Sequence, residues 1–166
     1  MFFKNRSKNS KYYYLILFNI YLYLIQLLKD EDIFSFSYFI LRVRIDIESE
    51  EINNTNTVIA SLLTLEVLFG EEKKRKITFD SRKKQIIKIG RMKHDEIDFT
   101  FEDEDVSRKQ CMIIFEENNW YIVDGNGIQK SSNGTWFYPE KYYNINEGLI
   151  FRIGTTLFEC NYLQDN

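Results

Sequence analysis

The chain has 166 residues, about one domain's worth, and carries 22 Lys+Arg against 25 Asp+Glu for a net charge of -3. That balance gives no overall electrostatic footprint for nucleic acid, and 44% hydrophobic with 28% charged residues excludes intrinsic disorder. One proline, the single alanine Ala60 and an excess of Ile, Asn, Lys, Tyr and Phe follow the coding bias of an A/T-rich genome, so the aromatic content carries no functional weight.

In chain order, residues 1–45 come first as an apolar N-terminal segment. Residues 12–28 are uncharged and interrupted only by Asn19 and Gln26, behind Lys4, Arg6, Lys8 and Lys11. As a helix this run reaches roughly 25 Å, the short limit for a hydrocarbon core of about 30 Å. Lys29-Asp30-Glu31-Asp32 follows without a small-residue cleavage site, so a signal peptide fits poorly. Ile33 to Leu41 is apolar but too short to span. The readings for this segment are a membrane helix, a buried or partner-bound helix, or a stretch outside the true start of the gene. The membrane reading is the less favoured: the basic cluster holds the N-terminus in the cytosol, and one crossing would put the rest of the chain outside. Residues 46–61, rich in Glu and Asn and without a clean period, read as a linker.

Residues 62–166 change character. Short runs rich in β-branched and aromatic residues, separated by charged, Gly- or Asn-containing turns, predict strands at 63–69, 75–79, 85–89, 97–101, 110–115, 120–123, 134–137, 149–153 and 155–160. This is the spacing of an all-β sandwich. One histidine, His94, in the polar run Lys93 to Glu96, reads as a solvated loop residue. Two cysteines in apolar runs, Cys111 and Cys160, read as buried reduced thiols. A structural zinc site usually takes four Cys/His ligands, and a nucleophile normally takes a His base, so neither a catalytic residue nor a metal or other cofactor is expected.

Three polar signals lie in the turns. They are Gly90-Arg91 at the end of the third predicted strand, Ser107-Arg108-Lys109-Gln110 entering the fifth, and Ser132-Asn133-Gly134-Thr135 after the sixth. Singly, each is ordinary turn and surface chemistry. In this order, about sixteen and then about twenty-five residues apart, they resemble the motifs of the forkhead-associated (FHA) domain. The resemblance covers about residues 62–162 and continues into Ile145-Asn146-Glu147-Gly148-Leu149-Ile150-Phe151-Arg152-Ile153-Gly154, which is similar to the family's closing segment.

The resemblance implies an FHA/SMAD-like β-sandwich of about eleven strands whose loops at one end bind phosphothreonine in a partner protein or peptide. Residue by residue, it gives Arg91, Ser107, Arg108 and Ser132 to the phosphate, Asn133 to the peptide main chain and Gly134 to the turn. Gly90, Gln110 and Thr135 are structural support. A phosphothreonine carries roughly -1.5 to -2 charges and three acceptor oxygens, which cationic and hydroxyl donors from separate loops would match. The family usually has His where this chain has Gln110, and Gln also donates and accepts hydrogen bonds. The acidic run Glu102-Asp103-Glu104-Asp105 adjoins the phosphate loop and favours peptides with basic flanks. Two other readings are a degenerate FHA fold that binds without phosphate, and the targeting module of an enzyme whose catalytic part lies elsewhere. A kinase-dependent reader belongs in the cytoplasm or nucleus, and Asn133-Gly134-Thr135 is also a glycosylation sequon, which argues against an extracellular site.

Overall fold

The computed structural model describes residues 17–20, 25–52, 55–91, 96–138, 147–153 and 156–161. His94 and the rest of the run 12–28 lie outside them. Thirteen strands are formed among the described residues: β1 (Leu17–Ile20), β2 (Gln26–Leu27), β3 (Ile33–Phe36), β4 (Phe39–Ile52), β5 (Thr55–Phe69), β6 (Lys76–Asp80), β7 (Ile86–Gly90), β8 (Phe99–Thr100), β9 (Cys111–Glu116), β10 (Asn119–Asp124), β11 (Thr135–Tyr138), β12 (Ile150–Ile153) and β13 (Thr156–Glu159). All nine predicted strands are among them.

The strands form two sheets. One has the order β13-β12-β1-β11-β3-β4-β5-β6, the other β2-β10-β9-β7-β8. Every pairing is antiparallel except β7 with β8, where Ile89 lies beside Phe99. Period-2 alternation sends Leu63, Leu65 and Val67 of β5 inward, against Ile87 and Ile89 of β7, Ile113 of β9 and Ile122 of β10. Phe36, Phe39, Phe99 and Phe101 form an aromatic cluster in which Phe36 meets Phe101 edge-on at 5.1 Å. Trp120 is buried between the sheets and donates its indole N–H to Ser61 Oγ at 2.9 Å, so its polar end is satisfied across the core.

Three expectations for the N-terminal part are corrected. Over the described residues of 12–28 the backbone is strand, in β1 and β2, and not helix. Among the described residues no helix is long and apolar enough to cross a membrane. Ile33 to Leu41 is a β-hairpin of the sandwich, with Phe34, Phe36, Phe39 and Leu41 at most 2% exposed, so the domain's core begins well before residue 62. Residues 46–61 form no linker either: β4 and β5 pair in register from Asp46 opposite Leu62 to Ile52 opposite Thr55. Residues 46–49 are exposed, Ile47 by 59%, so over that stretch neither face imposes the alternation by which a half-buried strand is recognised.

Candidate functional site

The site is built where β7 ends. Gly90 lies in such close contact with the next loop that a Cβ there would meet the Arg108 carbonyl oxygen at 2.1 Å. Glycine is required for this approach, whatever its dihedral angle. The backbone then stitches the loop to the strand: Phe101 N–H donates to Gly90 O (2.9 Å), Gln110 N–H to Ile89 O (2.8 Å) and Arg91 N–H to Ser107 O (3.0 Å). Within the loop, Asp103 turns the chain by accepting from Asp105 N–H (2.8 Å). The Arg91 guanidinium, half-buried, donates from Nη1 to Glu104 O at 3.2 Å.

The second loop, between β10 and β11, is held from beneath by Asp124. This buried carboxylate accepts from Ser131 N–H (3.1 Å), Ser131 Oγ (2.6 Å) and Thr135 Oγ1 (2.8 Å). Gly125 has φ +69°, with Gln129 O at 1.8 Å from where a Cβ would stand, and Gly134 has φ +74°. Asn126 Oδ1 accepts from Ile128 N–H (3.0 Å) and Gln129 N–H (2.7 Å), folding this part of the loop back on itself.

Gln110 joins the two loops. Fully buried, it accepts Ser107 N–H on Oε1 (3.1 Å) and donates from Nε2 to Gly134 O (3.1 Å) and Thr135 Oγ1 (3.3 Å). The surface closes in the same way. Ser107 Oγ accepts Ser132 N–H (2.8 Å), which leaves the serine's own O–H to donate outward, and Asn133 Nδ2 donates to Asp105 O (2.9 Å). Trp136 Nε1 donates to Asn133 O (2.9 Å), and the Arg152 guanidinium lies over the same indole, 4.3 Å from its centre.

Every predicted site residue therefore belongs to one cluster, with Arg108, Ser132 and Asn133 exposed and Gln110 and Thr135 buried. The cluster faces two cavities. One, about 600 Å³, is lined by Arg91, Arg108, Glu102, Asp103 and Glu104. The other, a groove of about 870 Å³, runs from Ser132, Asn133 and Gly134 past Asp105 to Tyr38, Trp136, Arg152 and Phe158. Glu104 lines the first and Asp105 the second, so the acidic run is the ridge between them.

Asp124-Gly125, directly after Ile122-Val123, marks the head of the second loop in the sequence, but the bracing role of Asp124 is seen only in the structure. Tyr38 went unread in the sequence. It belongs to the β3–β4 turn and stacks on Phe39 with centroids 4.4 Å apart. Desolvation first, then its hydrogen bond to Asp103 and that carboxylate's charge, push its phenol up to about 12. The thiol of Cys111 is buried and pushed well above its ordinary range by desolvation, with the Asp124 charge adding, so it is inert. Cys160 is a free, half-buried thiol.

Residues 87–154 match the family model of the FHA domain. The chain carries an FHA domain. The match contains all three motifs, from Gly90-Arg91 to Asn133-Gly134, and the β-sandwich is the fold that goes with it. FHA domains are non-catalytic modules of protein–protein interaction that bind phosphopeptides. No curated protein and no solved structure matches the chain.

Proposed function

We propose that this FHA domain reads phosphothreonine in a partner protein, with Arg91, Ser107, Arg108 and Ser132 receiving the phosphate and Asn133 holding the peptide main chain. The observation that carries the reading is the junction of the motif loops: the Ser107 hydroxyl accepts the Ser132 amide, Arg91 is tied by its amide to Ser107 O, and Gln110 pins both loops from below. Donors from separate loops thus converge on one patch without a partner's help, which reduces the ordering cost of binding. Charge-assisted bonds from guanidinium and hydroxyl to phosphate are the strong kind. Arg91 Nη1 already points into the acidic loop and would exchange the Glu104 carbonyl for a phosphate oxygen.

The acidic ridge adds a selection. With Glu102, Asp103 and Glu104 sharing a cavity with Arg91 and Arg108, a dianion alone meets repulsion from beyond the arginines, and a Lys or Arg beside the phosphothreonine relieves it. Gln110 supports binding with phosphate over the degenerate alternative, because it makes the loop-to-loop bonds for which a histidine would otherwise be needed. A reader of kinase products works in the cytosol or nucleus. The decisive experiment is calorimetric titration of the full chain with one peptide in four forms: phosphothreonine, phosphoserine, unmodified threonine and glutamate. Phosphothreonine is expected to bind at least tenfold more tightly than any other form, and equal affinity for the modified and unmodified threonine would sink the proposal.

A further inference from the structure

The chain contains the same hairpin twice. At one constant offset, Leu28 falls on Ile145, Ile33 on Ile150, Phe34 on Phe151, Leu41 on Phe158 and Val43 on Cys160. The structure repeats with the sequence. In β3–β4, Ile33 pairs with Arg42 and Phe36 with Phe39; in β12–β13, Ile150 pairs with Glu159 and Ile153 with Thr156. The bonds at the base also coincide: Glu31 N–H to Val43 O (3.0 Å) and Val43 N–H to Asp32 O (2.8 Å) in one, Gly148 N–H to Cys160 O (2.7 Å) and Cys160 N–H to Leu149 O (2.9 Å) in the other. Even the left-handed residue recurs, as Glu31 at φ +71° and Gly148 at φ +75°.

The two copies are seated differently. The N-terminal copy lies between β11 and β5 and gives Leu28, Phe34, Phe36, Phe39, Leu41 and Val43 to the core. The C-terminal copy sits at the far edge of the same sheet, buries Leu149 to 8% exposure, and leaves Phe158 42% and Leu157 59% exposed. Yet Phe151, Phe158 and Cys160 stand at the repeat positions of Phe34, Leu41 and Val43, so it carries the core-forming positions of the hairpin at the edge of the sheet. The family match includes residues 147–154 and stops short of the N-terminal copy. Backbone strain favours the C-terminal copy too. Where the hairpin adopts φ +71° and φ +49°, the N-terminal copy has Glu31 and Ser37, and the sequence of the other has Gly148 and Gly154. Against this, Phe39 and Val43 bury more apolar surface than Thr156 and Cys160 would.

We propose that the two hairpins are alternative occupants of the one place between β11 and β5, and that the C-terminal copy exchanges into it within the same chain. The groove beside Asn133 changes with the exchange, because it loses its Ser37–Tyr38 wall. The inference concerns strand seating alone and stands independently of what the groove binds.

Disulfide trapping in the full chain tests it, with Cys160→Val in every variant. Arg42→Cys with Glu66→Cys reports the N-terminal occupant, since these residues face each other across β4 and β5. Glu159→Cys with Glu66→Cys reports the exchanged state by the same register. With β13 at the opposite edge, six strand spacings of about 4.8 Å separate these sites by roughly 29 Å, far beyond the reach of a disulfide. In a glutathione buffer both variants are expected to form their intrachain disulfide, identified by peptide mapping of the monomer. A 42–66 link without a 66–159 link overturns the proposal, and so does a 66–159 link found only between chains, which would mean a swap between two copies. Hydrogen exchange of the unaltered chain gives an independent reading. Protection across 156–160 comparable with that of 39–43 is expected; full protection of 39–43 beside rapid exchange at 156–160 also overturns it.

Discussion

Replacing Gln110 by alanine removes the fully buried side chain that joins the two site loops from beneath. The substitution leaves the half-buried Ser107 N–H and Gly134 carbonyl without their partners, at about 1–2 kcal/mol each, the lower part of the range for an unsatisfied buried group. Thr135 Oγ1 loses a donor but keeps its own bond to Asp124 at 2.8 Å, so it adds little. The vacated side chain was fully buried, and losing its methylene packing costs about 1 kcal/mol more. Together these give a destabilisation of about 3–5 kcal/mol, a large part of the roughly 5–15 kcal/mol that holds a domain of this kind. With a urea slope of about 2 kcal/mol per molar, the middle of the usual range, the unfolding midpoint should fall by roughly 1.5–2.5 M. Gln110→His keeps one donor and one acceptor and should recover more than half of that loss. Chemical denaturation followed by tryptophan fluorescence suits the measurement, because Trp120 lies in the core and Trp136 beside the site. A Gln110→Ala midpoint within about 0.3 M of the parent would refute the view that this side chain braces the loops.

Arg91→Ala should weaken phosphothreonine-peptide binding at least roughly tenfold, because a charge-assisted bond of about 1.5–3 kcal/mol is removed, while the urea midpoint stays near the parent value; calorimetry and denaturation together check both halves. Peptides with Lys or Arg beside the phosphothreonine should bind better than neutral ones at low salt, and the preference should fade as ionic strength rises past about 0.15 M; selection of acidic flanks by a peptide library would contradict it. Asp80 is held down to about 2, first by hydrogen bonds from the Arg82 side chain and backbone. Its folded value lies below its unfolded one, so its contribution is present above about pH 4 and is lost as pH falls through about 2. Asp80→Asn should therefore flatten the acid limb of the stability profile in that window.

How much could be read in advance divides along the chain for physical reasons. From Leu63 onward strands such as β5 and β9 alternate a core face with a more exposed one, so period 2 is imposed, and turns fall where Gly, Asn and charge collect; β11, buried throughout, and β13, exposed throughout, are marked by those turns instead. The site motifs were legible because their chemistry is local: Gly90 is demanded by a carbonyl at 2.1 Å, Gly134 by a positive φ. Ile33 to Leu41 was not legible as strand. Ser37 and Tyr38 are the only turn between β3 and β4, and with Phe34, Phe36, Phe39 and Leu41 all buried the stretch reads as one apolar run. Residues 46–49 of the β4–β5 ribbon failed in the opposite sense, being exposed in succession with no covered face to pattern them. The bracing role of Asp124 was not legible because its partners Ser131 and Thr135 are gathered only when the loop closes.

The site's charges explain why it depends on that buried network. Arg91 and Arg108 share their cavity with three carboxylates, so long-range attraction for an anion is weak, and affinity has to come from short, directed bonds. Such bonds hold only if the donors are already aimed. The loops that carry them contain no helix or strand of their own between Phe101 and Gln110 or between Gly125 and Gly134. Their order comes from the chain of side-chain bonds linking Asp124 to Thr135, Thr135 to Gln110 and Gln110 to Ser107, the first three of those residues buried. Each member satisfies another's buried polar group, so the network is costly to break at any point. An acidic rim above a rigid set of donors favours a ligand that brings both its own negative charge at one fixed point and positive charge around it. The proposed ligand, a phosphothreonine set in a basic peptide, offers that combination, whereas a nucleic-acid backbone, an acidic peptide or a free anion lacks the positive half of it.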